Sequence, residues 1–436
     1  MRRSNGIWRN DPVNIFRLSL ALVLLAACSP PAHGYSVLTH EAVIDAAWDR
    51  YIQPQLLQRF PGSTPEDLRK AHAFAYGGCI IQDMGYYPFG SKLFSDLVHY
   101  VRSGDFVQAL IHEAQDVNEY AFALGALAHY AGDNNGHPIA VNLAVPIMYP
   151  KLKAKYGAHV TYAQDPAAHL KTEFGFDVVQ VANHKYAPEA YHDFIGFQVA
   201  KPVLDRAFFD TYGLHLKDVF SNLDLALGTY RHSVGSIIPT MTKAAWAAKK
   251  DEIIGSTPGA TQRKFVYILS RASYEKEWGA NYERPSLWAR FLAFLFKLLP
   301  KSGMFRALAF MPPSHETELL FMKSFDATFD RYRALLEDVK ADRLRLTNEN
   351  LDIGKPTRAG VYSMADNAYA SLLDKLADRH FGGVTPQERA DILDYYADLS
   401  RPIATKKRRD AWRKTLKELD ALKSVEPGVD RGATVP

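Results

Sequence analysis

The chain has 436 residues, of which 47% are hydrophobic and 23% are charged. This composition is typical of a globular protein with a buried core and argues against a disordered chain, and the length fits one large domain or two ordinary ones. The formal net charge is +4, but residues 1–27 contain four Arg and one Asp, so the remainder carries about +1 (4 − 3). Such a charge gives no strong signal for binding nucleic acid.

The N-terminal residues have the composition of an export signal. Basic residues precede an uncharged segment, Leu18 to Ala27, that is too short to span a bilayer. We therefore predict a signal peptide over residues 1–27. Leu25-Ala26-Ala27-Cys28 is similar to the bacterial lipoprotein signal, in which the cysteine is lipidated and anchors the protein to the membrane. Ordinary cleavage near Ala32-His33-Gly34 is the alternative, so we expect an envelope lipoprotein or a periplasmic or secreted protein.

Apolar residues recur at helical spacing over most of the chain, whereas alternating, strand-like segments are scarce. We therefore predict an all-α protein with a tether at 28–35, a helical domain at 36–248 and a helical C-terminal region of unknown role at 249–436. Thr64-Pro65 and Thr385-Pro386 have the composition of helix starts. Other predicted helices begin near Thr39 or cover about 104–114, 116–132, 164–174, 199–210 and 217–250.

Two segments of the C-terminal region bear on function. Leu287 to Leu299 is apolar but too short for a membrane span. It is either a helix packed on the core or an interfacial helix that helps to reach lipid. The segment from Asn350 through Gly354 to Val361 is predicted to be a loop without recognisable chemistry.

Candidate metal ligands occur in pairs. His129 and Asp133 are four residues apart in a segment rich in Ala and Leu, so they share one face of an apolar helix. Imidazole and carboxylate are ligands that zinc prefers, and burying Asp133 there is costly without a cation. We expect this helix to end at Asn134-Asn135-Gly136, before Pro138, which places His137 on the following turn.

A second pair at the same spacing, His169 and Glu173, lies on the helix that is predicted to begin near Asp165-Pro166. Spacing alone is weak evidence, because His112 and Asp116 are also four residues apart and belong to no larger pattern.

Three further residues complete an ordered set. His40 lies near the expected mature N-terminus, Asp83 lies in a segment rich in glycine and aromatic residues, and His99 follows it. This order, followed by His-x-x-x-Asp, another histidine and His-x-x-x-Glu, resembles the zinc-dependent phospholipase C family and the related single-strand nucleases. The resemblance covers about residues 33–240.

The resemblance implies roles for these side chains. Asp83, His99 and His129 would hold one zinc ion, and His137, His169 and Glu173 a second. Asp133 would bridge to a third ion held with His40, and Asp83 is the candidate to orient the attacking water or accept its proton.

Two departures from the family pattern affect this assignment. His137 follows Asp133 by four residues, whereas about six are usual in the family. The family also uses a mature N-terminal tryptophan at the third zinc ion, where this chain has His33-Gly34. The site therefore holds two ions, or three if His33 replaces the terminal amine.

We expect hydrolysis of phosphodiester bonds, with phospholipids as the first candidate substrate. A single-strand nuclease with the same metals and a non-catalytic envelope lipoprotein with a structural metal site are the alternatives. Tyr86, Tyr87 and Phe89 either line a pocket for a choline-like headgroup or a nucleobase, or serve in packing.

Overall fold

Helices form nearly all the regular secondary structure that the computed structural model describes, which comprises residues 36–182, 197–234, 251 and 310–425. One antiparallel pair of two-residue strands, Glu349–Asn350 (β1) and Lys355–Pro356 (β2), also lies in this part of the chain. The prediction of an all-α fold is confirmed. The predicted signal peptide and tether, including Cys28 and His33, and the apolar segment 287–299 lie outside the described residues.

The α-helices follow one another with short connections. In the first half of the chain they are α1 (Val37–Ala47), α2 (Gln53–Arg59), α3 (Pro65–Ile80), α4 (Lys92–Tyr100), α5 (Ser103–Glu113), α6 (Val117–Asn135), α7 (Asn142–Met148), α8 (Pro150–Tyr156) and α9 (Pro166–Ala182). They are followed by α10 (Lys201–Tyr212), α11 (Leu216–Val219), α12 (Leu223–His232), α13 (His315–Lys340), α14 (Ser363–Asp378), α15 (Pro386–Tyr395) and α16 (Arg409–Ser424). The remaining helical segments are the π-helical Trp48–Ile52 and Gly136–Val141 and the 3-10 helical Ile81–Tyr86 and Ala404–Lys407.

Side-chain caps define several helix starts. Thr64 accepts a hydrogen bond from the backbone N–H of Asp67, whose carboxylate accepts one from the N–H of Thr64 in return. Thr385 accepts from the N–H of Glu388. These bonds satisfy backbone donors that have no partner within the helix, so both predicted starts are confirmed.

The single helix predicted over residues 217–250 is wrong at its beginning. The chain forms α11, breaks at Phe220–Asn222 and resumes as α12. The break has a local cause, because the Asn222 side chain accepts a hydrogen bond from the N–H of Leu225 and starts a new helix. Residues 235–250 lie outside the described part of the chain.

Helices α3 and α6 pack with their backbones unusually close. A Cβ atom added to Gly125 would lie 2.1 Å from the carbonyl oxygen of Ala75, and one added to Gly78 would lie 1.9 Å from that of Phe122. Only glycine fits at these two points, because the neighbouring atoms belong to backbone that cannot move aside. The close contact fixes the position of α6 and of the side chains near its C-terminal end.

Residues of the C-terminal region pack on the same core. The hydroxyl of Tyr332 on α13 donates to the carbonyl of Leu124 at 2.9 Å, and the Gln55 side chain donates to the carbonyl of Leu336 at 2.8 Å. The domain boundary predicted between residues 248 and 249 falls outside the described residues. None of the helices in the described ranges combines the length and hydrophobicity needed to cross a membrane.

We expect Gly125→Ala to lower the free energy of unfolding by about 1–3 kcal/mol or more, because α3 and α6 must move apart. Urea denaturation followed by circular dichroism measures the effect. Gly62→Ala is the matched control, since a Cβ at Gly62 has no atom within 4 Å. Equal unfolding midpoints for the two variants would contradict the close-packing explanation.

Candidate metal centre

The eight residues predicted as ligands are all buried, and the structure brings them together. Within the described ranges, His, Asp and Glu side chains form three groups with ligand atoms close enough to share an ion. These groups are His40, His129 and Asp133; Asp83, His99 and His129; and His137, His169 and Glu173. The first two groups share His129, so the centre consists of one larger cluster and one smaller cluster.

The larger cluster, called here the Asp133 cluster, comprises His40, Asp83, His99, His129 and Asp133. One carboxylate oxygen of Asp133 lies 3.3 Å from Nε2 of His129 and 3.4 Å from Nε2 of His99. The other lies 3.4 Å from Nε2 of His40. Asp83 joins through an oxygen 3.5 Å from Nε2 of His99. Four separate helical segments therefore contribute to one buried point.

Backbone carbonyls orient two of the imidazole rings. Nδ1 of His99 donates to the carbonyl of Ser95 at 2.8 Å, and Nδ1 of His129 donates to the carbonyl of Cys79 at 2.9 Å. In the neutral rings the Nε2 lone pairs then face each other, 3.2 Å apart, beside Asp133. Such an arrangement is repulsive unless a cation lies among these atoms, and orientation by a carbonyl is typical of metal-binding histidines.

The charges in this cluster favour a cation. Burial alone would lower the pKa of His99, but hydrogen bonds to Asp133 and Asp83 and their charges raise that pKa well above its ordinary value. Burial opposes ionisation of Asp133, yet the charge of His129 and hydrogen bonds with His129, His40 and His99 hold its pKa well below the usual range. The pocket thus keeps its carboxylate ionised and attracts positive charge, whether as protons or as a metal ion.

The smaller cluster, called here the His169 cluster, comprises His137, His169 and Glu173. Nε2 of His169 donates to the carbonyl of Val160 at 2.6 Å, which leaves its Nδ1 facing Glu173 at 3.6 Å. Burial and the nearby His137 lower the pKa of His169 to about 3. Burial and the charges of Asp133 and Asp83 raise the pKa of Glu173 well above its ordinary value.

The expected end of the helix before His137 is wrong. Helix α6 continues to Asn135 and passes directly into the π-helical segment Gly136–Val141, which leads into α7. Asn135 donates from its side chain to the carbonyl of Ala131, and the wider π-helical turn accommodates Pro138. The chain therefore brings His137 to the cluster on a continuous but locally widened helix, despite its short spacing from Asp133.

The donor set fits zinc. It consists of imidazole nitrogens and carboxylate oxygens, and several of these atoms are buried without a hydrogen-bond partner: Nδ1 of His137, Nδ1 of His169 and both carboxylate oxygens of Glu173. Buried polar atoms without partners are rare in native proteins, and a bound cation would satisfy all of them.

Other candidates have different surroundings. His112 is exposed, and Asp116 caps the start of α6 by accepting from the backbone N–H of Asn118 and of Glu119. Tyr87 packs on Tyr230 with ring centroids 4.3 Å apart, which is a core contact. Tyr86, by contrast, lies beside His99 with centroids 5.9 Å apart and therefore borders the Asp133 cluster.

Sequence reasoning missed one residue at this centre. Asp352 lies in the segment that was predicted to lack chemistry, yet one of its carboxylate oxygens is 3.3 Å from Nε2 of His137. The available signal was an acidic residue between two apolar ones, Leu351 and Ile353, which indicates a buried carboxylate. No spacing to a histidine in the sequence points to it.

A buried cluster of histidines and carboxylates within an all-α core defines the class of helical zinc-binding proteins. Residues 39–222 match the sequence model of the family described as zinc-dependent phospholipase C, so this part of the chain is a domain of that family. The resemblance in ligand order is thereby confirmed. No curated protein and no solved structure matches the chain. The family and the three groups together support a zinc-dependent hydrolase.

We expect His129→Ala to bind at least one zinc ion fewer per chain, because His129 belongs to two of the three groups. Elemental analysis after dialysis against buffer with trace zinc measures this loss. His112→Ala is the control, since the His112 side chain is 85% exposed. Full zinc content in His129→Ala would show that the Asp133 cluster does not hold the metal.

Proposed function

We propose that the protein is a zinc-dependent hydrolase of phosphodiester bonds in phospholipids, acting as a phospholipase C. The observation that carries the proposal is the convergence of the Asp133 and His169 clusters inside a domain of the matched family. The two clusters are electrostatically coupled, since the charges of Asp133 and Asp83 act on Glu173. A single phosphodiester group bound between the clusters could therefore contact both.

The residues of the chain prepare the site for this reaction. Zinc ions bound there would polarise a phosphoryl oxygen and lower the pKa of a bound water. The carbonyls of Ser95 and Cys79 hold the imidazoles of His99 and His129 in the orientation that such ions require. Asp83 is placed to accept the proton of the attacking water, because its carboxylate lies at the edge of the Asp133 cluster beside His99.

We assign two zinc ions to the centre and keep a third as an addition to it. His40 stacks on His129 with ring centroids 4.3 Å apart and reaches only Asp133 among the carboxylates of the cluster. A third ion between His40 and Asp133 needs another ligand, and the candidate for it, His33, lies outside the described residues. A two-ion centre needs no such ligand.

Phospholipid is the proposed substrate because the sequence predicts an exported protein that is held at a membrane. The signal peptide, the lipidation of Cys28 and the apolar segment 287–299 would all bring the centre close to lipid. The near-neutral charge of the exported chain gives no reason to prefer single-stranded nucleic acid. We accordingly propose the bacterial cell envelope as the location.

The proposal predicts zinc-dependent cleavage of phosphatidylcholine or phosphatidylethanolamine in mixed micelles. The chain from Ser29 onward should release a phosphorylated headgroup and diacylglycerol, and a zinc chelator should abolish this activity until zinc is returned. Mass spectrometry of both products measures the reaction. Cleavage of a single-stranded DNA oligonucleotide in place of lipid would replace the substrate, and a zinc-loaded protein inactive on both would favour a structural metal.

We expect Asp83→Asn to lower kcat by about 100-fold or more, because proton transfer by a positioned side chain contributes about 10²–10⁴. Asparagine keeps an oxygen ligand but cannot accept the proton, so the zinc content should fall less than kcat. Asp96→Asn is the matched control, since Asp96 is also buried but is paired with Lys92. Proportional losses of zinc and kcat in Asp83→Asn would reduce Asp83 to a ligand.

A further inference from the structure

The segment around Asp352 reaches the metal centre from outside the matched family domain. Its backbone is tied to the ligand-bearing helices, because the N–H of Leu351 donates to the carbonyl of His99 at 3.1 Å. The side chain of Asn142 donates to the carbonyl of Asp352 at 2.8 Å. Asp352 is thus held in place by residues on either side of the centre.

Gly354 adds a close contact to the helix that carries His137. A Cβ at Gly354 would lie 2.8 Å from the carbonyl oxygen of Asn134 and 2.9 Å from the ring of Pro138, and the glycine has a φ of +59°. This combination of a left-handed backbone and a close approach favours glycine. The segment therefore lies directly against the π-helical turn that presents His137.

The two oxygens of the Asp352 carboxylate have different partners. One accepts hydrogen bonds from the hydroxyls of Tyr100, at 2.9 Å, and Tyr362. The other lies 3.3 Å from Nε2 of His137. The side chain is nearly fully buried, at 2% exposure, so its negative charge is compensated only by these neighbours.

The two nitrogens of His137 are also distinct. Nε2 faces the carboxylate of Asp352, whereas Nδ1 is buried without a hydrogen-bond partner. His169 shows the same division, because its Nε2 is bonded to the carbonyl of Val160 while its Nδ1 has no hydrogen-bond partner. In each ring one nitrogen is anchored by the protein and the other is left for a ligand.

We propose that Asp352 is a positioning residue of the zinc centre: it accepts a hydrogen bond from Nε2–H of His137 and thereby presents Nδ1 of that ring to the ion of the His169 cluster. A carboxylate behind a metal-binding histidine fixes its tautomer and makes it a stronger ligand. The C-terminal region thus completes a centre whose ligands lie in the family domain. This inference rests on zinc binding, which is part of the proposed function, but not on the choice of substrate.

The test measures zinc affinity in the chain from Ser29 onward by competition with a chromophoric chelator. Asp352→Asn and Asp352→Ala should bind one zinc ion about 10–100-fold more weakly than the unaltered protein, with the affinity for the other ion unchanged. Tyr362→Phe should show a smaller loss in the same ion, because the carboxylate keeps its bond from Tyr100. The absorption spectrum of the Co²⁺-substituted protein should keep the intensity of the unaltered coordination number.

Asp366→Asn is the matched control. Asp366 is a buried aspartate of the same region that accepts from the hydroxyl of Tyr395 and from the backbone N–H of Gly360. It should bind zinc with unaltered affinity. Circular dichroism identifies any variant that fails to fold, and Asp352→Asn, which preserves side-chain volume, is the variant on which the outcome rests.

Unaltered zinc affinity in folded Asp352→Asn would overturn the inference. A changed coordination number in its Co²⁺ spectrum would also do so, because Asp352 would then be a direct ligand. Failure of the unaltered protein to bind zinc would remove both this inference and the proposed function. Zinc binding without phosphodiester cleavage would remove only the proposed function.

Discussion

The charge of Asp133 is the constraint on which the rest of the metal centre depends. Its carboxylate is fully buried on a helix whose neighbouring residues are largely alanine, leucine and glycine, and burying an ionised carboxylate without compensation is costly. Three imidazoles surround it, and two of them direct lone pairs toward it because backbone carbonyls hold their other nitrogens. A cation satisfies all of these groups at once. The helical core is in this sense arranged around a positive charge that the protein's own side chains supply only by taking up protons.

The position of that charge depends on close helix packing. Gly125 lets the backbone of α3 approach α6, and the carbonyl of Cys79, near the end of α3, then reaches His129. A looser contact would leave the imidazole free to rotate and would spoil the geometry of a metal ligand. The same core extends to α13 through Tyr332, so residues far apart in the chain stabilise the helices that carry the ligands.

Local patterns in the sequence predicted much of the fold. The caps at Thr64 and Thr385 involve residues within one helical turn, and the pairing of His129 with Asp133 follows from helical periodicity alone. Predictions failed where short-range competition decided the outcome. Asn222 starts a new helix where apolar spacing indicated continuation, and the segment after Asn135 widens into a π-helical turn where glycine and proline indicated an end.

The sequence by itself determined the helical class, the order of candidate ligands and the family that this order resembles, because those features depend on residue type and spacing. Only the tertiary structure decided which side chains meet. The approach of Asp352 to His137 across more than two hundred residues follows from the packing of the segment that ends at β2 against α4 and the turn after α6. Contacts between distant residues depend on how complete helices pack, and no periodicity in the chain records them.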